Sequence, residues 1–542
     1  VRKKLISYFP EEYSPSTGQI NLINGVEKAL LKNKKFIICC APTGTGKSFL
    51  AKTLANFSSD STNNFKNLIT SYNAYRQDHL GNYTYAVDCF KEPAFGTFTL
   101  TITKSLQDQY LKLFSDAKIL KGKTNYQCQV DLNVDVETAP CVLVNKLKED
   151  CWSKCLCPYY NARNESLVDR FSILNYKMFL SLPDHVKKKN FLICDEASEL
   201  EDELVKRFSA VIDYDKLKHY GLEIKPLVTD KYVKVHVWLY DLIFQLSEII
   251  NTYISRTSKK ITNLSPIDKI KINYLKNLYN TLTTIENLWE ECEFIIEKDA
   301  KRVVITPLKV NKLSKYIFDY GEHIILMSAT IIDHKNFAKI LGIKDYEYIE
   351  VDSTFDASKS PIYVTSKNKL NYKNIKIELP NIVDKIKQIC NFHKDEKGVI
   401  HTHTNEITDY VKSRLGFSRF LYRDLSSKNE DILKEHKHKD DPTVLVSPSL
   451  AFGIDLKDHL ARFQIITKLP YLPLSSKRVK KLFDEDNDWY VDKMLNALVQ
   501  ACGRATRSKN DYSTTYILDG NIVDVLKKHK DKLPKYFIDR II

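Results

Sequence analysis

The stretch Phe36-Ile37-Ile38-Cys39-Cys40-Ala41-Pro42-Thr43-Gly44-Thr45-Gly46-Lys47-Ser48 decides how the rest of the chain is read. Its first five residues are an apolar run that ends in a turn, the pattern of a strand buried on both faces. The residues after it, Phe49 to Asn56, are compatible with a helix. Strand, glycine-rich loop and helix in that order form the setting in which backbone N–H groups cradle a phosphate chain. Gly44 and Gly46 let the loop turn, and the helix start adds the positive end of its dipole. Thr43, Gly44, Thr45 and Gly46 then line a nucleotide's phosphates, Lys47 reaches the outer ones, and the Ser48 hydroxyl holds Mg2+. Ala41 stands where the motif usually starts with glycine. The alternative, a surface turn with an exposed lysine, leaves the strand and helix on either side unexplained.

Composition bounds what this site can serve. A chain of 542 residues with 43% hydrophobic content has material for several cores. No segment is apolar over the roughly 18 residues that a membrane span needs. The start, VRKKLISYFPEEY, has charge but no hydrophobic region of a secretion signal, so a cytoplasmic protein of a prokaryotic or phage-infected cell is expected, with no membrane partner. Net charge is +14, with basic runs at Lys187–Lys189, Lys477–Lys481 and Lys527–Lys530. Such an excess suits a polyanionic partner. It equally suits solvated surface in a Lys-rich, Asn-rich chain, so charge alone decides nothing.

Of twelve cysteines, five cluster: Cys128, Cys141, Cys151, Cys155 and Cys157. Others, such as Cys39, Cys40 and Cys194, lie inside apolar runs where free Cys acts as a small hydrophobe. One dense cluster in a long chain points to metal binding, not disulfides. Spacing leaves zinc and an iron–sulfur cluster about equally open.

Taken in order, YSPSTGQ (Tyr13 to Gln19) precedes a periodic helix, Ile20 to Leu31. Ser58 to Pro93 is polar and aperiodic, and is expected to be an insertion with at most short helices. Phe98–Ile102 reads as a strand and Lys104–Tyr110 as a helix start. Phe191-Leu192-Ile193-Cys194 ends in Asp195-Glu196-Ala197-Ser198. An Asp at the end of a strand beside a phosphate loop is placed to hold the Mg2+ shell, and the next Glu to polarise a water for in-line attack. Val237, Leu242, Ile243, Leu246, Ile249, Ile250 and Tyr253, then Leu275 to Trp289, recur at helical spacing and suggest an antiparallel helix pair around a Ser255–Asn263 turn. Strands return at Arg302–Ile305 and Ile324–Met327, the latter entering Ser328-Ala329-Thr330. A second alternation follows, with strands at Gly398–Ile400, Thr443–Val446, Phe463–Ile466 and Thr515–Leu518. The fold class is therefore α/β with mostly parallel sheets. His401, His403 and the run His436–Lys439 read as a strand end and a solvated loop, not as metal ligands. Near the end, Gln500 to Ser508 carries Arg504 and Arg507 at helical spacing. They could present two guanidinium groups to one phosphate as an arginine finger from a second lobe.

In this order, TGQ, APTGTGKS, TITKSLQDQY, KGKTNYQC, CPYY with Asn175-Tyr176, DEAS, MSAT, Ala451–Asp455, KLPYLP and QACGRATRS resemble the superfamily 2 DNA helicases of the XPD/DinG type. The resemblance covers nearly the whole chain. It implies two RecA-like parallel-sheet domains, the first interrupted by an iron–sulfur domain and a helical arch. The implied segments are 1–113, 166–200 and 301–332 for the first lobe, 114–165 for the cluster domain, 201–300 for the arch and 333–542 for the second lobe. It implies that Gln19, Lys47 and Ser48 bind ATP–Mg2+ and that Asp195 and Glu196 serve hydrolysis. Gln500, Arg504 and Arg507 then sense the γ-phosphate, while Gly453, Asp455 and Thr330 couple nucleotide state to DNA grip. It favours a [4Fe–4S] cluster, since Cys128 matches the NYxC motif and Cys157 matches CPYY. The ligands expected are Cys128, Cys141, Cys151 and Cys157, because Cys155 and Cys157 are close in sequence for one cluster, with Cys155 for Cys151 as the alternate. The chain departs from the family where Ser198 replaces His, which puts an interlobe hydrogen bond in question, and where Ser16 or Thr17 replaces Arg.

The function expected is an ATP-driven motor on single-stranded DNA, moving 5′→3′ and splitting forked or tailed duplex as a monomer. The alternatives are a motor on RNA, a remodeller of protein–DNA complexes, or a weakly catalytic DNA-binding scaffold. A nuclease is not expected, since only about forty residues precede the phosphate loop. The Lys/Asn/Ile bias suggests AT-rich coding, as in some phages.

Overall fold

Apolar runs of four to eight residues separated by helices can bury both faces only as parallel strands. The computed structural model shows two such sheets, and describes residues 3–42, 44–60, 69–77, 83–93, 95–139, 141, 151, 156–257, 266–353, 356–366, 368–422, 429–448, 456, 458–503 and 511–542. The first is a seven-stranded sheet in the order Tyr346–Glu350, Phe36–Cys40, Gly321–Ser328, Lys189–Asp195, Thr97–Thr101, Phe171–Asn175, Lys118–Leu120. Its pairings are all parallel. The phosphate-loop strand lies beside the strand leading to Ser328, which lies in turn beside the strand ending in Asp195. Phosphate loop, acidic motif and Ser328–Thr330 thus leave the same sheet edge. This is the carboxyl-end crevice where open α/β sheets bind ligands.

The second sheet has six parallel strands, ordered Ile362–Val364, Thr514–Ile517, Phe463–Ile466, Gly398–His401, Val444–Ser447, Phe420–Tyr422. Apolar clusters cover both faces of each sheet. The fold is therefore α/β with two RecA-like lobes.

Several boundaries differ from the sequence expectation. Ser58 to Pro93 holds an antiparallel hairpin, Ile69–Gln77 with Tyr83–Pro93, where short helices at most were expected. Sequence rich in Tyr and Thr has the β preference that such a pair needs. Lys118–Leu120, assigned to the cluster domain, is the first lobe's edge strand. Arg302–Pro307, assigned to the first lobe after 301, sits between Ala210–Asp213 and Phe294–Lys298 in an antiparallel three-stranded sheet at the root of the helical insert. Residues 333–350, assigned to the second lobe, form a helix, His334–Ile340, and the Tyr346–Glu350 strand that pairs with Phe36–Cys40. A strand's apolar run does not state its partner, so the last three of these errors share one cause.

The insert carries two long helices, Tyr232–Thr257 and Pro266–Asn287, packed on each other. Leu242, Leu246 and Ile250 are buried as expected, together with Val235 and Leu239. Val237, assigned to that stripe, is instead exposed. Its place is taken one step round the helix by Val235 and Leu239, four residues apart on the packed face. The segment His436–Lys439 is also corrected. His436 lies in the helix Asn429–His438, fully buried, with its ring between the Thr443 hydroxyl and the Leu460 carbonyl. Among the described residues no helix is long and apolar enough to cross a membrane.

Candidate nucleotide site between the two lobes

The phosphate loop has the backbone its glycines predict. Gly44 and Gly46 have φ of 85° and 78°, the left-handed region, and Gly46 caps the helix Lys47–Ser58. A Cβ on Gly46 would overlap the Gln19 side-chain amide, so Gln19 lies against the loop. Gln19 is itself held by a capping box: the Ser16 hydroxyl accepts from the Gln19 N–H, and the Gln19 carbonyl oxygen Oε1 accepts from the Ser16 N–H at 2.8 Å. Thr45 Oγ1 donates to the Pro42 carbonyl at 2.7 Å, and Lys47 Nζ donates to the Ala41 carbonyl at 3.0 Å. The ammonium is thus folded back on the loop, where a phosphate oxygen can take the carbonyl's place. Thr43 lies outside the described residues.

Asp195 ends the strand Lys189–Asp195 and is buried. Burial and the neighbouring Glu196 push its carboxyl up to about 6, against the pull of Lys47 and the donors that face it. Its Oδ2 accepts from the Tyr110 hydroxyl at 3.0 Å and its Oδ1 from the Glu196 N–H at 3.0 Å. The Ser48 side chain also acts on the Tyr110 phenol. One buried phenol therefore lies beside both side chains expected to hold Mg2+. Nothing in the helix start Lys104–Tyr110 announces this role, because the partner Asp195 lies 85 residues away. Glu196 adopts φ 52°, left-handed for a residue with a side chain, which turns the chain sharply out of the strand. Backbone strain of this kind collects at functional sites.

The next contact settles a point the sequence left open. Ser198 Oγ accepts from Ser328 Oγ at 3.0 Å and from Gln500 Nε2 at 2.9 Å. A serine oxygen has two lone pairs, and both are used. The interlobe hydrogen bond put in question by the missing His is made by Ser198 instead. Gln500 reaches it from the last turn of the second lobe's helix Asn487–Cys502. Ala329 is met from the second lobe as well, its carbonyl accepting from the Tyr536 hydroxyl at 3.4 Å. Arg504, Arg507, Gly453 and Asp455 lie outside the described residues.

A second interlobe contact was not foreseen. Glu201 is buried and accepts from Arg478 at 2.7 Å, Lys493 at 2.9 Å and the Trp489 indole at 3.1 Å. Burial alone would raise its carboxyl, but Lys493 and Arg478 outweigh it and hold the group at about 2. The basic run Lys477–Lys481 is used here and nearby. Lys481 pairs with Glu293, and the Lys477 N–H donates to Glu297, so the helix Lys477–Glu485 docks on the insert's sheet.

Among the described residues no group of three or more His, Cys, Asp or Glu is arranged to hold a metal ion. The expected [4Fe–4S] set is represented by four thiols. Cys128, Cys151 and Cys157 are buried, Cys141 partly so, and Cys155 lies outside the described residues. Burial raises the Cys151 thiol, and Cys157, Cys141 and Cys128 raise it further.

Residues 399–539 match a family model described as a helicase C-terminal domain. The ATP-dependent DNA helicase XPD of Sulfolobus acidocaldarius is 24% identical over 90% of this chain and 93% of its own length. A probable ATP-dependent helicase of Methanocaldococcus jannaschii is 20% identical over 68% of this chain and 71% of its own. A solved XPD helicase superposes with a TM-score of 0.66 at 18% identity, covering 98% of this chain and 99% of that one. An XPD structure from S. tokodaii gives 0.58 at 15%, covering 97% and 98%. The likeness runs through both lobes and both insertions rather than over one motor lobe, so the chain is similar over nearly its whole length to the XPD-type DNA helicases and shares their fold.

Proposed function

We propose that the chain is an ATP-dependent DNA helicase that moves 5′→3′ along single-stranded DNA and splits forked or tailed duplex as a monomer. The observation that carries the motor reading is the Ser328–Ser198–Gln500 chain, which joins the acidic motif of one lobe to the second lobe's helix beside the phosphate loop. ATP would lie on the loop of Thr43 to Ser48 with Gln19 beside it, and Lys47 would leave the Ala41 carbonyl for its outer phosphates. Ser48 and Asp195 would hold Mg2+, and Glu196 would orient the attacking water. Arg504 and Arg507 would meet the γ-phosphate as the lobes close, with Gly453 and Asp455 passing that closure to the DNA.

The thiols of Cys128, Cys141, Cys151 and Cys157 fit a [4Fe–4S] cluster in number and softness, with Cys155 as alternate. Bound there, such a cluster would supply rigidity by cross-linking segments distant in sequence. The insert leans on this region: Asn273 donates to Glu137 at 3.1 Å and Lys269 lies 3.7 Å from Asp131. These contacts support the reading of helix pair and cysteine segment as an arch over the strand.

The test is strand displacement on duplexes with a 5′ or a 3′ single-stranded tail, with RNA tails alongside. Opening of the 5′-tailed DNA alone supports the reading. Opening from 3′ tails only, or preference for RNA, sinks it. For the cluster, anaerobically purified protein should show a broad absorbance near 400 nm and about four irons per chain, lost in Cys157→Ser. Stoichiometric zinc in a colourless protein would refute it.

A further inference from the structure

We propose that Glu201, gripped by Arg478 and Lys493, is a positioning residue that sets Gln500 against Ser198. This rests on the ATPase reading above. Lys493 and Gln500 are seven residues apart on the helix Asn487–Cys502, so they share one face about 10 Å apart along its axis. Ser198 and Glu201 are three apart across the short turn Ala197–Glu199 and the first turn of Leu200–Arg207. Gln500 meets Ser198, while Lys493 and Trp489 meet Glu201. Two segments of opposite lobes are thereby pinned at two points, which fixes both the slide and the rotation of the helix.

A cavity of about 30 Å³ lies beside the pins, lined by Ser198, Glu201, Lys493 and Asn496 and by the apolar Ile331 and Phe337. To the apolar contacts on this face the ion cluster adds pairings of fixed partner and distance. Glu201 has no role in hydrolysis by reach, since its oxygens are occupied by Arg478, Lys493 and Trp489. It acts through the helix. Asp202 gives Lys493 a second carboxylate at 3.2 Å, and the Arg478 Nε–H donates to the Pro307 carbonyl at 2.9 Å, which ties the pin to the insert's sheet.

The experiment measures phosphate release with saturating single-stranded DNA in wild type, Glu201→Gln, Lys493→Met, Gln500→Ala and the double variants. Glu201→Gln is expected to lower kcat by about 10- to 100-fold, the scale of a misplacement near 1 Å, with the KM for ATP changed less than about twofold. Combined with Gln500→Ala it is expected to lose no more than the worse single change, because both break one contact. Multiplying losses, or a kcat unchanged by Glu201→Gln, would overturn the proposal. Lys493→Met leaves Glu201 paired with Arg478 and keeps the test valid if Glu201→Gln does not fold; it too must be non-multiplicative with Gln500→Ala. Wild type with no activity above Lys47→Ala would instead refute the ATPase reading.

Discussion

Replacing Tyr110 with Phe removes one oxygen atom and isolates the proton balance of the proposed magnesium site. In the folded protein the Asp195 carboxyl is pushed by burial and Glu196 to about 6, and the Tyr110 hydroxyl, 3.0 Å from Oδ2, pulls the other way. A hydrogen bond to a charged group contributes about 1.5–3 kcal/mol, which corresponds to roughly one to two pH units at 1.36 kcal/mol each. Without the hydroxyl, the ionised fraction at pH 7 falls from about nine-tenths to about one-half or less. Metal needs the carboxylate, so the Mg2+ requirement of the DNA-stimulated ATPase should rise steeply below pH 7 in Tyr110→Phe and return toward wild type near pH 8.5. The assay is a Mg2+ titration of phosphate release from pH 5.5 to 8.5. A loss that is the same at every pH, or no loss, would refute this reasoning. The same group sets a sign for stability in the nucleotide-free protein. Its folded pKa is above the ordinary value of 3.8, so its contribution is fully present below that value and is lost as pH rises through about 6. Free protein should therefore lose some thermal stability on going from pH 5 to pH 7, and Mg2+ should offset that loss.

Further outcomes follow from single contacts. Ser198→Ala deletes the acceptor shared by Ser328 and Gln500 and should lower kcat about 10-fold with KM for ATP little changed; equal turnover would show that the link is idle. Gly46→Ala should abolish binding of a fluorescent ATP analogue, since its Cβ meets Gln19 at a left-handed backbone; binding within twofold of wild type would contradict the loop described. Arg419 donates to the carbonyls of Cys390, His393, Glu396 and Pro442, closing a helix end in the second lobe. Arg419→Met should destabilise that lobe by about 2–4 kcal/mol in urea unfolding, with ATP affinity intact.

How much of this was readable beforehand depended on how local the signal was. The phosphate loop announces itself because two glycines must take left-handed backbone between a buried strand and a helix. The Asp195 strand and the parallel sheets are equally local, written as apolar runs with turns between. Pairing partners are not local. Nothing in Arg302–Pro307 states that it joins the insert's sheet, or in Tyr346–Glu350 that it returns to the phosphate-loop strand. The same limit hid Tyr110 and Glu201, whose partners lie 85 and 277 residues away. Ser198 shows the converse: the substitution looks like a loss until Gln500 is seen to reach the smaller side chain. His436 was misread for its polarity, since its ring is buried between two hydrogen-bond partners; the run Lys477–Lys481, which charge left undecided, buries Arg478 and Val479 and keeps Lys477 and Lys480 exposed.

The central claim is that both lobes serve one triphosphate under the control of a bound DNA strand. Phosphate release by the wild-type chain and by Lys47→Ala, each with and without single-stranded DNA, tests it most directly. Wild-type turnover should rise at least about tenfold on adding DNA and vanish in Lys47→Ala, which removes the proposed phosphate ligand. Turnover that ignores DNA, or that survives the loss of Lys47, would contradict it.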